Sequence, residues 1–135
     1  MLRAVLFLLL LPLAAFARSP VAPDVDSVVS GGYWESGNDS GHYRVIVVNS
    51  GFEHVTSRVY VEWLRGPGSP DAKPSVVASV EPTLPFGEGV ASVGVRLVPA
   101  GKSKVRILVS GVVSAKPTQT VKAILVATKP GRVQQ

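Results

Sequence analysis

Cysteine is absent from this chain. Disulfides, thiolate nucleophiles, cysteine-ligated zinc and iron–sulfur clusters are therefore excluded. Histidine is scarce, since His42 and His54 are the only two, and no short spacing places them on one element as a zinc site requires. No Gly-x-Ser-x-Gly turn is present to hold a serine nucleophile, and no acidic loop has the ligand-rich spacing of a calcium site. Asp24, Asp26, Glu35 and Asp39 would supply carboxylates for glycoside hydrolysis, but no spacing singles out a pair. No metal or organic cofactor is expected. Acidic residues themselves run out, for none follows Glu88.

Long hydrophobic runs are also missing, with one exception at the start. Arg3 precedes an apolar stretch from Ala4 to Ala15 broken only by Pro12. About a dozen residues fall short of the roughly 20 that span a bilayer as a helix. Ala15-Phe16-Ala17 then places small residues before Arg18, so residues 1–17 read as a cleaved signal peptide. Cleavage would leave no stable membrane span, and with no cysteine in the chain a lipid-modified N-terminal cysteine is excluded. Export without disulfides points to a bacterial periplasmic or secreted protein, because small eukaryotic secreted domains usually rely on cross-links.

What is abundant is valine. Of 25 valines all but Val5 lie beyond the leader, whereas seven of the 12 leucines lie within the first 13 residues. Branching at Cβ suits a pleated surface better than a helix, and 11 Pro and 13 Gly punctuate the chain. Strands are expected at 25–35, 42–49, 55–64, 75–80, 90–98, 102–113 and 119–128, with Gly31-Gly32 marking a bulge or early turn in the first. Val45 to Val48 is apolar on both faces, so this strand is expected to sit centrally in its sheet or to be covered on its second side. Trp63 shares the inward parity of Val55, Val59 and Val61; Ala91, Val93, Val95 and Leu97 share that of the fifth strand. Seven short strands with regular turn signals and no helical period indicate an all-β, single two-sheet antiparallel sandwich over residues 18–128, followed by a flexible tail at 129–135.

Two stretches carry a family likeness. Tyr43-Arg-Val-Ile-Val-Val-Asn-Ser-Gly51 with Ser57-Arg-Val-Tyr-Val-Glu-Trp63 resembles the second and third strands of bacterial immunoglobulin-like domains of the cell-adhesion-related kind. Leu97-Val-Pro-Ala-Gly-Lys-Ser-Lys-Val-Arg-Ile-Leu108 resembles a late turn and strand of the same domains. The first stretch is also similar to the first domain of periplasmic pilus chaperones. The resemblance implies an immunoglobulin-like sandwich and no particular activity.

Charge is divided along the chain. Residues 18–88 carry nine acidic and five basic side chains, a net −4; residues 89–135 carry eight basic side chains, a net +8. Lys102, Lys104 and Arg106 share parity on the expected sixth strand, and Arg96 and Lys122 point away from the apolar faces of theirs. If those strands are neighbours they form a basic face, either solubilising and edge-guarding or a docking surface for an anionic polymer or an envelope protein. The proline-rich loop at 65–74, beginning with Arg65, and the outward-facing Tyr60 are further candidate contacts. Nucleic acid is not an expected partner, because the basic face lacks interleaved aromatics for base stacking. The expected function is a non-enzymatic binding module of the bacterial envelope. Its rivals are a structural or chaperone-like assembly component that pairs through a strand edge, and a small secreted hydrolase.

Overall fold

The computed structural model describes residues 21–86 and 89–135. The leader expected at 1–17 lies outside the described residues. Eight antiparallel strands follow: β1 (Val25–Ser36), β2 (Asp39–Ser50), β3 (Thr56–Arg65), β4 (Ser75–Val80), β5 (Val90–Pro99), β6 (Val105–Val113), β7 (Lys116–Ala127) and β8 (Val133–Gln134). They form two four-stranded sheets in the orders β1-β2-β3-β4 and β5-β6-β7-β8. The all-β two-sheet sandwich expected from valine content and turn spacing is present. Its connectivity is simpler than that of an immunoglobulin domain, which interleaves its strands between sheets by Greek-key crossings. Here the chain completes one sheet before starting the other.

The core lies between the sheets. Trp34, Tyr43, Val45, Val47, Val59, Val61 and Trp63 of the first sheet face Val90, Val93, Val105, Ile107, Val109, Ala123, Leu125 and Ala127 of the second, all buried. Strand periodicity makes this layer: alternate residues of β2, β3, β6 and β7 point inward while their neighbours are half-buried or exposed, except Leu64 of β3, which is buried beside Trp63. β2 lies between β1 and β3; Tyr43, Val45 and Val47 face the core, while Ile46 and Val48 on its other face are half-buried.

Two bulges adjust which side chains reach that layer. In β1 the register slips between Gly31 and Trp34, and Gly32 adopts φ 68°, a conformation glycine tolerates without a Cβ penalty. Parity therefore switches from odd to even, so Trp34 turns inward behind Val29 and Gly31. In β5 the slip lies between Ala91 and Gly94, with Ser92 at φ 52°. Val90 and Val93 both become buried as a result. This corrects the expectation that Ala91 leads the inward set, because strict alternation fails across an extra residue. Buried Gly111 makes the arrangement possible: a Cβ there would lie 2.4 Å from Val90 Cγ1 and 3.2 Å from Val93 Cγ2.

Other boundaries also differ from the sequence-based expectation: β2 begins at Asp39 and β7 at Lys116, each three residues earlier than expected. β6 begins at Val105, not at residue 102, because the reversal after β5 uses residues 100–104: Ala100 N–H donates to the Lys104 carbonyl at 3.1 Å, and Gly101 and Ser103 have positive φ. The tail at 129–135 does not hang free. Thr128 N–H donates to the Arg132 carbonyl at 3.1 Å, closing a turn from which β8 pairs with the end of β7, and the Gln135 side-chain amide donates to the Thr83 carbonyl.

Candidate functional site

Sequential sheet order converts the charge division along the chain into a division between the two faces of the sandwich. Every residue of the second sheet comes from the part of the sequence that lacks acids. β5, β6 and β7 are hydrogen-bonded neighbours, so the register fixes what stands on their outer face. Gly94 lies opposite Ser110 and Ser110 opposite Lys122; Arg96 lies opposite Leu108 and Leu108 opposite Ile124; Val98 lies opposite Arg106 and Arg106 opposite Val126. Arg96, Arg106 and Lys122 are all exposed. From strand spacing and rise, Arg96 and Arg106 are about 8 Å apart at Cα, and Arg96 and Lys122 about 12 Å.

Between these cations the surface is concave and partly apolar. A shallow groove of about 490 Å³ is lined by Arg96, Leu108, Ser110, Lys122 and Ile124 around Gly94. Gly94 contributes no side chain, which leaves the hollow open between its neighbours. Ile124 is 55% exposed, an unusual position for a large aliphatic side chain in the middle of a strand. Leu108 and Ile124 were the part of this surface that parity had signalled least, because apolar residues on both sides of a strand read first as core. Phe52, 97% exposed at the tip of the β2–β3 connection, is another apolar contact candidate that the sequence did not single out.

The remaining sequence candidates fall elsewhere. Lys102 and Lys104 are exposed on the β5–β6 reversal, outside β6, so they do not share a strand face with Arg106. Lys102 Nζ stands 3.6 Å from Glu35 Oε2. Tyr60 points outward from the first sheet, on the opposite side of the sandwich, and is half-buried with the Arg58 guanidinium 5.4 Å above its ring. Arg65 ends β3 and is tied to Asp39 at 2.7 Å. The structure thus unites Arg96, Arg106 and Lys122, places Lys102 and Lys104 at the end of the same sheet, and separates Tyr60 and Arg65 from all of them.

The two faces also differ in how their charges are satisfied. On the first sheet Arg44 meets Glu62 at 2.6 Å, Arg58 meets Glu81 at 2.5 Å and Arg65 meets Asp39 at 2.7 Å. The hydrogen bond from Arg58 holds the exposed Glu81 carboxyl below the usual carboxylate range. Arg96, Lys104, Arg106 and Lys122 have no ion-pair partner among the described residues.

The four carboxylates weighed for glycoside hydrolysis lie in two pairs at opposite ends of β1. Glu35 and Asp39 sit at the β1–β2 hairpin against Lys102 and Arg65, whereas Asp24 and Asp26 lie at the other end of β1, roughly 30 Å away at the rise of a strand. His42 is half-buried on β2, its carbonyl accepting the Trp34 indole N–H at 3.1 Å, and His54 is exposed in the following loop. Among the described residues no group of three or more His, Asp and Glu converges as metal ligands would. No protein-family model, curated protein or solved structure matches the chain.

Proposed function

We propose that this protein is an exported, non-enzymatic binding module of a bacterial envelope that holds an acidic envelope protein against the outer face of its second sheet. The observation that carries the reading is the contrast in ion pairing. The arginines of the first sheet are neutralised by Glu62, Glu81 and Asp39, while Arg96, Arg106 and Lys122 have no ion-pair partner among the described residues, with Arg106 about 8 Å and Lys122 about 12 Å from Arg96 at Cα. Such spacing is comparable to the screening length of about 8 Å at physiological ionic strength, so neighbouring cations act jointly on an approaching anion. Leu108 and Ile124 between them add apolar surface that a purely solubilising face would not need.

The test is capture from envelope extract with the protein lacking residues 1–17, comparing wild type with the triple variant R96E, R106E and K122E. Capture of an acidic protein should be lost at an essentially unchanged melting temperature, since exposed substitutions usually alter stability by less than about 0.5 kcal/mol. Equal capture by both proteins refutes the assignment of this face. Retention of an anionic polymer in place of a protein, again sensitive to the three reversals, would keep the face and replace the partner.

A further inference from the structure

We infer that β7 is the docking edge of the second sheet, and that it accepts an extended acidic peptide segment as an additional strand. This rests on the reading that the second sheet holds an anionic partner, and it specifies how. A sandwich of two open sheets has four edges, and three of them are obstructed. β1 and β5 pack against each other, with Glu35 N–H donating to Ser103 Oγ at 2.9 Å across that side. β4 has six residues, pairs with β3 through an irregular register, and is bracketed by Pro74 and Pro82, all features that discourage strand addition.

β7 differs on each count. β8 covers it only at Val126 and Ala127. From Lys116 to Leu125 no other described strand and no hydrogen bond from another described residue meets the side of β7 that faces away from β6. Pro117 lacks an N–H, so the usable stretch is 118–125, about 27 Å at about 3.4 Å per residue. Within it the ladder with β6 is regular from Thr120 to Leu125, which holds the free edge straight. Unpaired N–H and C=O groups in such a row are a template for another strand.

Charge selects the occupant. A second copy joined β7 to β7 would bring together two sheets that each carry only cations, with Lys116 and Lys122 of each near those of the other, and like charges across a strand pair are unfavourable. An acidic strand has the opposite sign. Acidic side chains at alternate positions would stand beside Lys122 on the outer face. The intervening residues would point toward the rim of the core at Val121 and Ala123, where β-branched side chains fit.

The test uses three ten-residue peptides with blocked ends: one alternating Glu with Val and Thr, the same peptide N-methylated at alternate amides, and a version with Lys in place of Glu. Binding is followed by amide chemical shifts and hydrogen exchange of the full protein. The acidic peptide should shift and protect amides within 118–125, the N-methylated one should bind at least about tenfold more weakly because ladder donors are lost, and the lysine peptide should not bind. Equal binding of the acidic and N-methylated peptides, with shifts spread over Arg96, Arg106 and Lys122, would overturn strand addition while leaving the basic face as a binding surface. Failure of both acidic peptides would overturn both. Binding of the lysine peptide, or a concentration-dependent dimer protected along β7, would overturn the choice of an acidic occupant.

Discussion

Trp63 donates its indole N–H to the main-chain oxygen of Thr128 at 2.8 Å, joining the first sheet to the end of β7 in the second. The same oxygen accepts the Tyr43 hydroxyl at 2.8 Å. The two rings meet edge to face, 6.0 Å between centroids at 64°, and both residues are fully buried. A carbonyl has two acceptor positions, and here each is used by the opposite sheet. Core packing and sheet-to-sheet hydrogen bonding are therefore carried by the same pair of side chains.

Convergence on one acceptor predicts non-additive mutational effects. Tyr43→Phe removes one donor and should cost about 1 kcal/mol, because Trp63 still satisfies the oxygen. Trp63→Phe should cost more, about 2 to 4 kcal/mol, since it also leaves a cavity in the core. In the double variant the carbonyl oxygen of half-buried Thr128 loses both of these donors, and the loss should exceed the sum by at least about 0.5 kcal/mol. Urea unfolding of the four proteins measures this directly; strict additivity would show that the shared acceptor is unimportant.

Tyr43 also predicts how the protein responds to alkali. Burial pushes its phenol up to about 12, whereas an unfolded tyrosine ionises near 10. The folded form binds the proton more tightly, so the contribution is fully present below about pH 10 and is lost as pH rises toward 12. Unfolding free energy measured across that interval should fall more steeply for wild type than for Tyr43→Phe. Parallel curves would contradict the assignment of the buried phenol.

Gly111 should be the least replaceable glycine of the second sheet. An added methyl would collide with Val90 and Val93, both buried at the β5 bulge. Overpacking of this kind costs about 1 to 3 kcal/mol. Gly111→Ala should therefore lower the denaturation midpoint, and pairing it with Val90→Ala should recover part of the loss. An undiminished midpoint for Gly111→Ala would mean that the bulge yields freely.

Much of this is legible in the chain itself. Valine content, proline and glycine spacing and period-two alternation determine a sandwich of short strands, the inward faces of β3 and β6, and the outward direction of Arg96, Arg106 and Lys122, because side-chain alternation is a local property of extended backbone; which apolar face of β2 turns inward is decided by packing. The division of charge at residue 88 is likewise written in the sequence. Tertiary structure alone decided that this division separates two faces, since only completing one sheet before the next keeps the cations together. It also decided that Lys102 and Lys104 belong to a turn, that Trp34 and Val90 face inward across bulges, and that Arg65 and Tyr60 lie apart from the basic face. These depend on register and on which strands become neighbours, set by packing between residues far apart in the chain.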